Sequence, residues 1–361
     1  MNADFILAIG ELGKEKGIDP ELLFQAVEEA LVTAYKKNFG SNQNVRVDMN
    51  KVTGELHIYA QRHIVAEVGD DPNEISLEEA RKIDPRYEVD DIVETEVTPR
   101  NFGRIAAQNA KQVVVQRIRE AERGMVFEKF SSRENDIVTG IIQRMENKNV
   151  YIDLGKAEAI LTPNEQIPGE IYQYHDRMKT YIVEVKKTSK GPQIMVSRTH
   201  PGLLKRLFEL EVPEIHDGLV EIKSVAREPG MRSKISVYTK DENIDPVGAC
   251  VGHKGMRVQT IVNELRGEKI DIVKYSSEPD QYVANALSPA KVVSTEVLEE
   301  EKICRVIVPD YQLSLAIGKE GQNARLAAKL TGWKIDIKSE SQAAEEAEQG
   351  AQEVGVAYEA D

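Results

Sequence analysis

The chain is short of the residues that build several common kinds of site. Only two cysteines, Cys250 and Cys304, stand in 361 residues. Neither has a C-x-x-C partner, which argues against a disulfide scaffold and a thiolate metal knuckle. Each reads as a small filler of core space, and a reducing cytoplasm is the compartment that fits. The six histidines are scattered and form no H-E-x-x-H pair, so no metal site is expected. No G-x-x-x-x-G-K-S/T loop is present, so nothing supports nucleotide hydrolysis. No apolar run approaches the roughly 20 residues that span a bilayer, and no membrane attachment is expected. Asp4 and Glu11 interrupt the first apolar stretch, which argues against a signal peptide. No compact set of carboxylates marks an acid–base site. The acidic stretch at residues 70–96, with Asp70, Asp71, Asp84, Asp90 and Asp91, reads first as a solvated face and second as a partner-docking face. Neither catalysis nor a cofactor is expected.

Excess positive charge is also missing: the net charge is -14. The deficit is uneven. Residues 1–130 carry 17 basic and 24 acidic side chains, and residues 339–361 carry seven acidic and no basic ones. Residues 131–338 carry 30 of each. The middle of the chain is therefore neutral on average, and local basic clusters can still make a positive groove there.

Hydrophobic spacing divides the chain. An apolar stripe of Phe5, Ile6, Ile9 and Leu12 predicts a first helix, and Asp19-Pro20-Glu21 opens a second that ends near Phe39-Gly40. Alternating strands follow at Val45–Asp48 and Glu55–Tyr59, a short helix begins at Ser76, and a long one runs from about Gly103 to Arg123. Residues 1–128 thus read as one α+β domain. Between residues 132 and 200 five short strands with regular turns predict a small closed barrel. Their spacing resembles an OB-fold of the ribosomal-protein S-one type, whose last strand often ends in Ser-Arg, here Ser197-Arg198.

The most informative pattern is a cassette that occurs twice. The first copy is Val251-Gly252-His253-Lys254-Gly255, a helical stretch, then Lys269-Ile270-Asp271-Ile272. The second is Ile317-Gly318-Lys319-Glu320-Gly321, a helical stretch, then Lys334-Ile335-Asp336-Ile337. Gly252 and Gly318 lie 66 residues apart, so the unit is domain-sized. Each copy reads helix, strand, strand, helix, G-x-x-G, helix, strand. The units span residues 201–276 and 277–340, and an acidic, disordered or frayed-helical tail covers residues 341–361.

Glycines without Cβ let a phosphodiester backbone approach the loop, and the next helix aims N–H donors and a positive dipole end at it. Lys254 and Lys319 add charge from the loops, with Arg257, Arg325 and Lys329 on the following helices. The candidate RNA-binding set is therefore Gly252, His253, Lys254, Gly255, Arg257, Gly318, Lys319, Gly321, Arg325 and Lys329. Alternation in the closing strands puts Ile270 and Ile272 inward and Asp271 outward, and likewise Ile335, Ile337 and Asp336. Glu320 stands out, because a carboxylate in the second loop repels phosphate unless it turns away.

These cassettes are similar to KH domains. The runs Gly267-Glu268-Lys269-Ile270-Asp271-Ile272 and Gly321 to Trp333 resemble the paired KH domains of the NusA family of bacterial transcription factors. The resemblance covers nearly the whole chain. It implies a multidomain α+β protein with an N-terminal α+β domain, an OB-fold barrel and two type II KH domains. It also implies a non-enzymatic factor that binds RNA polymerase through residues 1–128 and nascent single-stranded RNA through the rest. Modulated pausing, intrinsic termination and antitermination with other Nus factors are the expected outcomes, and a monomer is expected. Some family members carry long acidic repeats after the second KH domain, so contacts made through such repeats are not carried over to this chain. The alternatives are an RNA-processing enzyme with barrel and KH appendages and a ribosome-associated RNA-binding protein.

Overall fold

The computed structural model describes residues 3–39, 42–69 and 72–346. Gly40, Asp70, Asp71, the side chain of Phe5 and residues 347–361 lie outside that description. The chain forms two compact units, Met1–Glu128 and Lys129–Asp361.

In the first unit α1 (Ala3–Lys16) and α2 (Pro20–Phe39) pack together. Asp19 accepts the amide of Glu21 at 2.9 Å, capping α2 as its position before proline suggests. Leu23, Val27 and Leu31, at helical spacing, are buried. Strand β1 (Asn44–Met49) alternates strictly, with Val45, Val47 and Met49 turned to the core. It pairs with the long strand β2 (Leu56–Val65). Two further strands join β2: β3 (Glu74–Ser76), and, after α3 (Leu77–Ile83), β4 (Ile92–Glu96). Helix α4 (Phe102–Ser131) then buries Phe102, Ala106, Ala110 and Val114 at every fourth position. It runs eight residues beyond the end expected at Arg123, because no proline or capping signal follows and Gly124 alone does not stop a long helix. Strands β3 and β4 were hidden in the acidic stretch. Glu94 and Glu96 there are not merely solvated: Glu94 accepts from Arg46 and Gln61, and Glu96 pairs with His57, across the sheet.

The second unit opens with β5 (Ile137–Glu146), β6 (Asn149–Asp153), β7 (Glu158–Leu161), β8 (Arg177–Thr188) and β9 (Gly191–Ser197). They close into a barrel in the order β5-β6-β7-β9-β8. Helix α5 (Pro201–Glu211) buries Leu203, Leu204, Leu207 and Phe208 in a core that also takes in Tyr181 and Ile137 of the barrel. Arg198, at the end of β9, pins this joint. Its guanidinium is 1% exposed, pairs with Glu170, and donates to the Lys179 carbonyl at 2.8 Å and the Glu264 carbonyl at 3.0 Å.

After α6 (Pro213–His216) the repeat appears twice. The first copy is β10 (Glu221–Glu228), β11 (Arg232–Tyr238), α7 (Pro246–Val251), α8 (Met256–Glu264) and β12 (Lys269–Lys274). The second is α9 (Pro279–Ala286), β13 (Ser294–Leu298), β14 (Ile303–Val308), α10 (Leu313–Ile317), α11 (Gln322–Thr331) and β15 (Lys334–Ser339). Both sheets have one antiparallel and one parallel pairing, β10-β11-β12 and β13-β14-β15. The second copy sits on the first. Helix α11 packs across β10 and β11, α9 packs on β12, and Ala226 and Val273 of the first sheet enter the second core. Buried Lys234 donates to the Ser288 carbonyl at 2.7 Å across the same contact. The second core takes Leu326, Ala327 and Leu330 from α11, so leucines supply most of its bulk on this face.

The start of the tail expected to be disordered or a frayed helix is helical. Residues 340–346 are helical. Ser339 and Gln342 form a reciprocal capping box, each side chain accepting the other's amide at 3.3 and 3.1 Å. That pair alone satisfies two end donors of a short helix, which composition did not reveal.

Candidate nucleic-acid interface

Each G-x-x-G loop joins two helices by the same backbone path. Gly252 has φ 74° and ψ 175°, and Gly318 has 76° and 172°. Lys254 and Glu320, the third residues, take 50°, 28° and 53°, 29°. Gly255 and Gly321 take 77°, 12° and 74°, 13°. Three of the four residues in each loop therefore have positive φ, a region that favours glycine and costs other residues. Two stretches of different sequence thus reproduce one strained path.

What stands behind each loop explains its first glycine. A Cβ on Gly252 would lie 2.6 Å from Cγ of Arg257, and one on Gly318 would lie 2.8 Å from both Cβ and the amide nitrogen of Asn323. Arg257 and Asn323 are the fifth residues after their glycines, and both donate to carbonyls at the end of the preceding helix. Arg257 reaches Ala249 at 2.6 Å; Asn323 reaches Ala316 at 3.0 Å. They satisfy carbonyls that a helix end leaves without intrahelical partners.

The predicted cations separate by this geometry. Among the described residues no ion pair or side-chain hydrogen bond engages Lys254 or Lys319, both exposed on their loops, and His253 is exposed beside Lys254. They stand in the loops that lead into the N-termini of α8 and α11, the ends that carry the helix's positive dipole. Arg257 does not offer free charge. It is half-buried and paired with Glu214 at 2.9 Å, so it braces the loop from behind. Arg325 is likewise engaged, donating to Glu228 at 2.7 Å and to the Glu320 carbonyl at 3.1 Å. Gln322 donates to the same Glu228, which ties α11 to the end of β10. Lys329 is exposed one turn further on. Sequence position showed that these residues follow a loop, but not which of them meet a carboxylate from a distant element.

The closing strands also differ from expectation. Ile270 and Ile272 pack into the first core, and Ile335 and Ile337 into the second. Asp271 does not face solvent. Burial pushes its carboxyl up, but hydrogen bonds from Arg232 at 2.7 Å and Lys234 at 2.9 Å outweigh that and hold it below its ordinary value. Neighbouring strand β11 supplies both cations: Lys234 stands opposite Asp271 in register, and Arg232 two residues earlier reaches it diagonally. In the second copy Asp336 stays half-exposed, 3.6 Å from Lys338. Among the described residues, strands β12 and β15 each pair on one side only and so stand at the edges of their sheets.

The barrel adds surface that periodicity did not reveal. Arg144 lies 3.9 Å over the Tyr151 ring, and exposed Tyr174 sits 3.9 Å from the His175 ring. Such rings and guanidinium planes are platforms for unstacked bases. Among the described residues no group of His, Cys, Asp and Glu could hold a metal ion, and no helix is long and apolar enough to cross a membrane. Cys250 and Cys304 are free and buried; burial pushes the Cys250 thiol up to about 12.

A closed five-stranded barrel followed by two such loop-bearing α/β modules defines a multidomain RNA-binding protein of the KH and OB class. Comparison with known proteins agrees segment by segment. The sequence matches the NusA N-terminal domain at residues 4–124, the S1 RNA binding domain at 131–197, the NusA-like first KH domain at 198–275 and the NusA-like second KH domain at 279–345. It is 66% identical over 345 residues to a protein of Halalkalibacterium halodurans, covering 96% of this chain and 90% of that one. It is 65% identical to a protein of Bacillus subtilis, covering 96% and 93%, and 42% identical to one of Thermus thermophilus, covering 93% and 89%. All three bear the name transcription termination/antitermination protein NusA. The chain belongs to the NusA family.

Proposed function

We propose that this chain is a transcription termination and antitermination factor that rides on RNA polymerase and grips the emerging RNA. The observation that carries the reading is the pair of G-x-x-G loops with matching backbone dihedrals, each with an exposed lysine that has no side-chain partner among the described residues. Gly252, His253, Lys254 and Gly255 form one backbone grip, and Gly318, Lys319 and Gly321 the other. Lys329 lies beside the second, while Arg257 and Arg325 hold the loops in shape. Residues 132–200 add the barrel's contribution, and residues 201–276 and 277–340 hold the two grips. The acidic domain at residues 1–128 is the polymerase-docking part, as its charge opposes that of an RNA-binding face. Residues 341–361 form the acidic tail. The protein works in the cytoplasm without cofactor, metal or catalysis, as a monomer alongside other Nus factors.

Transcription in vitro through a hairpin pause tests this directly. Added protein lengthens the pause, and a variant with His253→Asp, Lys254→Asp and Lys319→Asp does not. Co-purification with ribosomal subunits in place of polymerase, and no change in pausing, would support a ribosome-associated role instead.

A further inference from the structure

The two modules differ in what covers the face of the sheet that points away from their own helices. By strand register, Ala226, Lys234 and Asp271 of the first sheet correspond to Glu296, Arg305 and Asp336 of the second, and Ser236 and Val273 correspond to Ile307 and Lys338. The first face is closed: Ala226 and Val273 enter the second core, and Lys234 and Ser236 are buried. The second face carries charge on its outer strands, at Glu296 and Lys338, with half-buried Ile307 on the strand between them. It cannot receive another module in the way the first does. A repeat stack needs a more polar cover on such a face.

The chain begins to supply one. The helix at residues 340–346 follows β15 directly and returns over this face. Ser341 fixes it to Asp310, through the hydroxyl at 2.9 Å and the amide at 3.3 Å, and Glu346 pairs with Lys338. A groove of about 450 Å³ remains between helix and sheet, with Thr295, Val306 and Ile307 on one side and Ala343 and Glu346 on the other. Its charges are already matched. Arg305 lies 3.4 Å from Glu296, and Lys338 lies between Glu346 and Asp336, 3.6 Å from the latter. Apolar surface, chiefly Ile307, Val306 and Ala343, is what a further segment would cover.

We infer that residues 347–361 of this same chain occupy the groove, with Val354, Val356 and Tyr358 seated on Ile307 and Ala343, and so cover the second sheet. The segment starts at the groove, since Glu346 lines it. The eight residues from 347 to Val354 reach at most roughly 25 Å. Crossing three strands takes only about 10 Å. In Glu353-Val354-Gly355-Val356-Ala357-Tyr358-Glu359 the larger apolar residues fall at every second position, so in extended form they share one side while both carboxylates take the other. That pattern suits a groove whose floor is apolar and whose charges are balanced. The tether raises the segment's effective concentration to the millimolar range, so contacts too weak to hold a free peptide suffice. Helices α10 and α11 pack on the opposite side of this sheet, against Ile335 and Ile337. The cover therefore leaves the glycine loops open.

The test uses the full chain with a nitroxide attached through Ala360→Cys; Cys250 and Cys304 are buried and stay unlabelled. In amide NMR spectra, residues 294–296, 305–307 and 336–338 should lose intensity while the label is oxidised and recover when it is reduced. The loss should disappear when Val356→Ser and Tyr358→Ser are added, with the shifts of the first module unchanged as the sign of an intact fold. Removing residues 347–361 should leave affinity for single-stranded RNA as it was. Intensity lost nowhere in particular, or lost equally with the two serines present, would overturn the inference. So would a loss centred on residues 252–255 and 318–321 together with tighter RNA binding after the deletion, which would put the segment on the loops instead. A loss that passes from spin-labelled molecules to isotope-labelled ones in a mixture would make a second copy the occupant and overturn it equally.

Discussion

Asn323 stands behind the second glycine loop where Arg257 stands behind the first. The amide and the guanidinium differ in charge and length, yet each sits five residues after its glycine and donates to the end of the preceding helix. A shared mechanical role survives a complete change of chemistry.

That relationship ranks two substitutions. Gly318→Ala places a methyl 2.8 Å from the backbone nitrogen of Asn323, which cannot yield, at a φ of 76°. Gly252→Ala meets methylenes of Arg257, which can swing aside at the expense of Glu214. Gly318→Ala should cost about 2 kcal/mol or more, and Gly252→Ala less. Urea unfolding followed by the fluorescence of Trp333, which packs in the second core, measures the first; circular dichroism measures the second. Equal and negligible costs would contradict this reading of the loops.

Bracing and gripping should separate. Arg257→Ala removes a half-buried strut and leaves Glu214 unpaired, so stability falls by about 1–2 kcal/mol. Lys254→Ala removes an exposed charge, so stability holds while RNA affinity falls several-fold. Paired melting curves and fluorescence-anisotropy titrations decide it. A Lys254→Ala protein that loses stability, or an Arg257→Ala protein that loses only RNA, would reverse the assignment.

The first KH module should have a specific acid limit. Glu268 and Arg227 form an ion pair with both side chains fully buried. Burial pushes the Glu268 carboxyl up, but bonds from Arg227, Ser233 and the Gly230 amide outweigh that and hold it below its ordinary value of 4.5. Its contribution is therefore complete above 4.5 and disappears as the pH falls through the lower folded value. Glu268→Gln leaves a buried guanidinium without its anion and should cost about 3 kcal/mol at pH 7, with a shallower loss towards pH 3. Denaturant midpoints from pH 7 to 3 provide the comparison; parallel acid limbs in both proteins would place the limit elsewhere.

Both thiols should be silent in the native protein. Cys250 and Cys304 are buried, and the Cys250 thiol is pushed up to about 12. Ellman's reagent at pH 7.5 should label neither until denaturant is added, and then both. Prompt native labelling would show that the cores open far more readily than their packing implies.

How much could be read in advance follows the range of the interactions. The cassettes, the barrel strands and α2 were legible because periodicity and glycine spacing are local. Strands β3 and β4 were not, since three and five residues within an acidic stretch become strands only beside β2. Asp271 alternates as an outward residue, and only its pairing with Arg232 and Lys234 on β11 turns it into a half-buried, bonded anion. Arg257 looked like a free cation because Glu214 lies 43 residues away. Lys269 belongs to the repeat, but its place in one cleft with Lys319 exists only after one copy packs on the other. Charge placed by tertiary contact is what sequence spacing could not supply.

Photo-crosslinking of a single-stranded oligoribonucleotide containing 4-thiouridine, with the labelled peptides identified by mass spectrometry, tests the central claim most directly. Crosslinks should fall in the peptides that hold residues 252–255 and 318–321, and should fade together as salt is raised. Efficient crosslinking confined to other parts of the chain, with both glycine loops unlabelled, would contradict the account.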